Sequence, residues 1–166
     1  MKLTKLVRGV GTNGSDYIVS NSVVIDGIEY KQCPYYVRWK DMLTRCYSDK
    51  FHIQNPTYIC CTVCVEWLTF SNFKAWMMTQ TWVGLRLDKD VLILGNKHYS
   101  PEKCVFVSEK VNGFIKDNSN VRGGYPIGVS IPKPNGKYES QCNNPLTKKH
   151  EYLGIFTTHE AAHSAW

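Results

Sequence analysis

Asp88, Lys89 and Asp90 stand together at the end of the apolar run Val83 to Leu87, and Asn112 follows further on in "EKVNGFI". Between them the chain turns at Gly95-Asn96, and "SPEKCVFVSEKVNGFI" then reads as a strand running into a helix. A two-stranded ribbon that leads into a helix brings the end of its first strand near that helix, so the pattern lets Asp88 and Asn112 meet. A carboxylate with an amide oxygen is a hard-oxygen pair suited to Mg2+ or Mn2+, with water and phosphate oxygens completing the shell. An ion held in this way polarises a phosphodiester and stabilises its leaving oxygen. The same residues also fit a plainer role, with Asp88 and Asp90 as turn-capping acids and Asn112 as a helix-surface amide. In either case Lys89, Lys97, Lys103 and Lys110 line a basic surface for phosphate contacts, which place a protein on DNA without reading its sequence.

The cysteines offer a second metal chemistry. Cys61 and Cys64 form a CxxC pair, with Cys46 upstream and Cys104 downstream, and four such thiolates would hold a structural Zn2+. The second pair is not a CxxC, and Cys60 competes with Cys61, so the plainer expectation is that Cys46, Cys64 and Cys104 pack as small hydrophobes. Seven irregularly spaced cysteines do not make a disulfide framework.

Four segments must position these groups. Residues 1–32 read as an N-terminal hairpin extension, with β-branched residues flanking an Asp26-Gly27 turn. Residues 33–116 hold two helices and the ribbon. Tyr36, Trp39, Met42, Leu43 and Cys46 recur at helical spacing over about 35–47, and Trp67, Phe70, Phe73, Trp76 and Met77 do so in a second, aromatic helix. That aromatic stripe is expected to be core. The run "DNSNVRGG" at 117–124 has nothing to bury and reads as a linker. Residues 125–166 alternate as three strands and end in a helix, where Thr157 or Thr158 with Glu160 gives a capping signature. The expected fold class is α+β.

A chain of 166 residues with 43% hydrophobic content buries one good core, or two small ones joined by a linker. The net charge of +6, from 20 Lys and Arg against 14 Asp and Glu, favours polyanionic partners without proving one. The start "MKLTKLVRGVGTNG" lacks the apolar stretch of a signal peptide, and no run approaches a membrane span, so the expectation is a soluble, unexported chain with no membrane partner.

The stretches "YYVRWKDMLTRCY", "PTYICCTVCVEWLTFSNFKAWM" and "LDKDVLILGNKHYSPEKCVFVSEKVN" together resemble a phage group of His-Asn-His (HNH) endonucleases, over about 33–116. The resemblance implies a ββα-metal fold in which Asp88 binds the metal and Asn112, on the helix, is the second ligand. Lys89 stands where the family has its general-base histidine, and Lys103 where it has the asparagine that orients the first strand. A lysine is normally protonated near neutral pH and takes a proton only when burial or a neighbouring charge lowers its pKa. His98, on the connecting loop, is the substitute base the sequence offers.

The stretch "IGVSIPKPNGKYESQCNNPLTKKHEYLGIFTTHEAAHSAW" resembles the plant APETALA-two/ethylene-response-factor DNA-binding domain, which accompanies many mobile phage endonucleases. It implies a three-stranded sheet whose outer face enters the major groove of double-stranded DNA. Alternation turns Tyr138, Ser140 and Cys142 one way and Lys137, Glu139, Gln141 and Asn143 the other. The polar set belongs on the DNA face, joined by Ser130, Lys133, His150 and Tyr152, while Ala161, Ala162 and Ala165 pack the helix on the opposite side. The two resemblances imply a homing-like or nicking endonuclease of the host-cell cytoplasm. Loss of the base histidine leaves open a catalytically silent DNA-binding protein or an inhibitor of a host enzyme, and the aromatic content leaves open a module that binds a host protein.

Overall fold

The structure, a computed structural model, describes residues 6–114, 124–130, 134–144 and 147–166. It is α+β, and the chain divides into two units, Met1–Val107 and Ser108–Trp166. The segment 115–123, which contains most of the expected linker, lies outside the described residues.

In the first unit, β1 (Val23–Ile25) and β2 (Ile28–Tyr30) pair antiparallel, as expected. Their connection is Asp26-Gly27, with φ of 51° and 78°. Two successive positive φ values make the turn whose twist matches the strands. Helix α1 (Pro34–Tyr47) starts on a proline, whose fixed φ and missing N–H suit a first turn, and buries Tyr35, Trp39, Met42, Leu43 and Cys46. A short helix, α2 (Asp49–Gln54), follows directly, where the sequence offered only the Asn55-Pro56 break.

The second expected helix begins later than its aromatic spacing suggests. Trp67 sits in a 3₁₀ turn, Glu66–Leu68, and α3 spans Phe70–Met78. The carbonyl of Trp67 accepts the indole N–H of Trp39 at 2.6 Å, and Phe70 N–H donates to Thr12 O at 3.0 Å. Both bonds use groups that a continuous helix would pair internally. The stripe is core nonetheless. Trp39, Phe70, Phe73, Met77 and Leu43 are fully buried, and Trp67 meets Trp76 and Phe73 with ring centroids 4.5 and 5.0 Å apart.

Four short strands complete this unit. β3 (Thr62–Val63) pairs parallel with β5 (His98–Tyr99), and β4 (Arg86–Asp88) pairs antiparallel with β6 (Val105–Val107). Thus β4 and β6 are the expected ribbon, and the residues between them detour through β5. Helix α4 (Glu109–Phe114) opens the second unit immediately after β6.

The second unit pairs β7 (Tyr138–Asn143) antiparallel with β8 (His150–Phe156). The expected third strand survives as one bridge, Val129 to Ser140, and residues 131–133 beyond it are outside the described set. Helix α5 (His159–Ser164) is capped by Thr158, whose hydroxyl accepts Ala161 N–H at 3.2 Å. Because Thr158 is the cap, Glu160 falls one position short of where a capping box needs it. Only Ala162 of the three alanines is buried, since a helix this short presents one side chain inward. Trp166 lies against Gly128, where a Cβ would stand 2.1 Å from its ring.

Gly11 tests the packing of the first unit. A Cβ there would lie 2.4 Å from Leu43 Cδ1 and 2.8 Å from the Trp39 ring, both in the fully buried core. Gly11→Ala is therefore expected to lower stability by about 1–3 kcal/mol through overpacking, read from urea midpoints. An unchanged midpoint would show that the Trp39 pocket yields freely.

Candidate functional site

The turn after β4 is built by the Asp88 carboxylate. Its Oδ1 accepts the backbone N–H groups of Asp90 at 2.6 Å and Val91 at 2.8 Å, an aspartate turn that fixes the side chain from its own loop. Asp88 is buried, and among the described residues no donor bonds its second oxygen. One oxygen thus orients the group while the other stays open. This leaves a hard oxygen available to Mg2+ or Mn2+, which typically take one or two protein carboxylates and complete their shells with water and phosphate.

Lys89 turns inward. It is 6% exposed, its ammonium bonds both Asp90 oxygens at 2.8 and 2.7 Å, and it lies 5.7 Å from the centroid of the Tyr58 ring. Its charge is spent on Asp90, so Lys89 does not belong to a basic surface. Lys97 is exposed and donates to Thr57 O, Lys103 is half-buried, and Lys110 is exposed on α4.

The orienting amide is Asn96, which the sequence analysis passed over. Its side-chain NH2 donates to Lys89 O at 3.0 Å and His98 O at 2.8 Å, while its Oδ1 accepts His98 N–H at 3.0 Å. One buried amide therefore ties the Asp88 turn to β5. Gly95, at φ 72°, makes the turn that delivers it. A Gly-Asn pair in a loop between two strands was the available signal.

His98 is half-buried on β5, with Nδ1 2.8 Å from Thr62 Oγ1. When Nδ1–H donates to that hydroxyl, Nε2 is left as the proton acceptor. Asn112 is half-buried on α4, and its backbone N–H donates to Ser108 O. It belongs to the second unit, and Asp88 to the first.

Two arginines on α1 hold β4 from the edge opposite β6. Arg38 Nη2 donates to Leu85 O at 3.2 Å, and Arg45 Nη1 to Leu87 O at 3.4 Å. Burial, then the nearby Arg86, pushes the Arg38 guanidinium below its ordinary range. For Arg45 burial opposes the charge, but Tyr99 and Tyr58 outweigh it and leave the group raised.

The four cysteines considered for zinc are free thiols. Burial pushes Cys46 up to about 12, with Cys61 adding to the effect, and likewise pushes Cys104 up to about 12; Cys61 and Cys64 are raised by burial too. Among the described residues no three or more His, Cys, Asp or Glu converge to hold a metal ion.

In the second unit, cross-strand pairing sorts the two faces. Glu139 pairs with Ile155, Gln141 with Tyr152 and Asn143 with His150, and directly opposed residues share a face. Ser130 joins them, its Oγ accepting Gln141 Nε2 at 3.1 Å. Six of the residues expected on the outer face therefore stand together. Tyr138 and Ser140 face α5 instead, with Tyr138 and His159 ring centroids 5.7 Å apart and Ser140 fully buried. Lys137 is exposed in the turn before β7, and Lys133 lies outside the described residues. Ile155 is an addition that alternation misses. The register slips between Ser140 and Gln141 and leaves Leu153 unpaired, which turns Ile155 outward and Phe156 inward. Gly154 inside the strand was the clue to this bulge.

Compared with known proteins, the chain matches no family model, no curated protein and no solved structure. No helix among the described residues is long and apolar enough to cross a membrane.

The cysteines yield a pH test. A thiol whose pKa is raised on folding stabilises the fold fully below its unfolded value near 9, and that contribution is lost as pH climbs towards the folded value of about 12. Urea midpoints are expected to fall between pH 9 and 11, and to fall less steeply in Cys104→Ala. Equal slopes in the two proteins would refute the assignment.

Proposed function

We propose that this chain is a metal-dependent DNA endonuclease of the HNH type, homing-like or nicking, which anchors on double-stranded DNA through the outer face of its C-terminal sheet. The observation that carries this reading is the Asp88 turn: a buried carboxylate at the end of β4, oriented through one oxygen and open at the other, in a ribbon that runs straight into a helix bearing Asn112. Asp88 would hold Mg2+ or Mn2+, and the HNH resemblance implies Asn112 as a second ligand. When bound, the ion supplies Lewis-acid stabilisation of the scissile phosphodiester and its leaving oxygen.

The chain's own residues carry the rest. Asp90 neutralises Lys89, so position 89 supplies no base, and Nε2 of His98 is the group free to take a proton from water. Asn96 keeps that histidine's strand in register with the Asp88 turn. On the sheet, Gln141 and Asn143 offer amides suited to adenine, and Tyr152 and Ile155 offer apolar contact.

A second reading is a catalytically silent DNA-binding protein, or one that inhibits a host enzyme. The burial of Lys89 against Asp90, at the position of the family's base, favours it.

Supercoiled plasmid incubated with Mg2+, Mn2+ or EDTA separates the two. Metal-dependent nicking or linearisation is expected, lost in Asp88→Ala and Asn112→Ala, and slowed by about 10²–10⁴ in His98→Ala. Intact DNA that wild type and variants all shift equally in a gel would establish the second reading.

A further inference from the structure

Ser130 and Gln141 are tied together on the outer face of the second unit's sheet. Ser130 N–H donates to Glu139 O and Gln141 N–H to Gly128 O, both at 3.0 Å, on either side of the Val129 to Ser140 bridge. These bonds set the two side chains diagonally across an antiparallel pair, within reach of each other. Gln141 Nε2 then donates to Ser130 Oγ at 3.1 Å. Among the described residues that is the one hydrogen bond the Gln141 side chain makes.

The direction of this bond decides what the amide can read. A primary amide has two N–H donors and one carbonyl acceptor. With Nε2 turned to the serine, one N–H and Oε1 are left, a donor beside an acceptor. Adenine presents the complement on its major-groove edge, an N7 acceptor and an N6–H donor, whereas guanine presents two acceptors, N7 and O6. A glutamine held the other way, with Oε1 on the serine hydroxyl, would offer two donors and suit guanine. The neighbouring side chains fit the same base pair. Tyr152 lies directly opposite Gln141 and is 57% exposed, an apolar surface for the C5 methyl of thymine. Among the described residues paired across β7 and β8 on this face there is no arginine or lysine, the side chains that most often read guanine.

We infer that Gln141 reads the adenine of an A·T pair, and that Ser130 is the positioning residue that sets adenine over guanine. The inference rests on the reading of this sheet as the DNA anchor, and names the base that the anchor recognises. Because the serine holds the amide before DNA arrives, little side-chain freedom is lost on binding.

The test uses the full chain in EDTA, so that cleavage plays no part. Wild type, Gln141→Ala, Ser130→Ala and Ser130→Thr each select from a randomised duplex library. Affinities for the selected duplex and for its single A·T to G·C variants are then read by fluorescence anisotropy. Wild type is expected to fix adenine at one position and to bind about tenfold more weakly when that pair becomes G·C. Gln141→Ala is expected to abolish the ratio at that position and leave the other positions as they were. Ser130→Ala, which frees the amide to rotate, is expected to reduce the same ratio, and Ser130→Thr, which keeps the hydroxyl, to retain it. A wild-type ratio in either alanine variant, or a loss of affinity spread evenly over all sequences, would overturn the inference. Should Gln141→Ala not fold, the two Ser130 variants decide by the same ratio. Selected duplexes without an adenine preference remove the reader and keep the anchor; a chain that retains no duplex removes both.

Discussion

The carbonyls of Leu85 and Leu87 point to an edge of β4 that no strand among the described residues covers, and two guanidinium groups from α1 close it. An unpaired buried backbone acceptor costs free energy comparable to a lost hydrogen bond, so a two-stranded ribbon needs such a partner on its inner edge. The consequence reaches the site, because β4 ends at Asp88. Helix α1 in turn packs Trp39 and Leu43 closely against Gly11. The position of one carboxylate is therefore traceable through two arginines and one helix to the aromatic core.

Local bonds then finish what the packing begins. Asp88 folds its own turn, Asp90 neutralises Lys89, and Asn96 joins that turn to the strand of His98. Asp88, Lys89 and Asn96 each find these partners within ten residues of themselves. In the second unit the equivalent device is the unpaired Leu153, which turns Ile155 and Tyr152 to the same outer face as Glu139 and Gln141.

Much of this was legible in the sequence where the determinants are local. The spacing of Trp39, Met42, Leu43 and Cys46 marked α1, Asp26-Gly27 marked the hairpin, and strict alternation in β7 sorted its two faces. What escaped depended on contacts distant in sequence or on one shifted residue. An arginine on an amphipathic helix reads as solvated, so nothing marked Arg38 or Arg45 as clamps for a strand some forty residues away. The start of α3 moved because Trp39 takes the Trp67 carbonyl. The Gly95-Asn96 turn was visible, but that the Asn96 amide bonds both Lys89 O and His98 O depends on a loop geometry that spacing does not give.

The central claim is that the open oxygen of Asp88 is a metal ligand, and direct Mn2+ binding tests it without requiring a substrate. Titration of the full chain with Mn2+, followed by the loss of the free-ion electron paramagnetic resonance signal, is expected to reveal one site that Asp88→Asn removes while the fold is retained. Equal Mn2+ uptake by the two proteins, or none by the wild type, would contradict it.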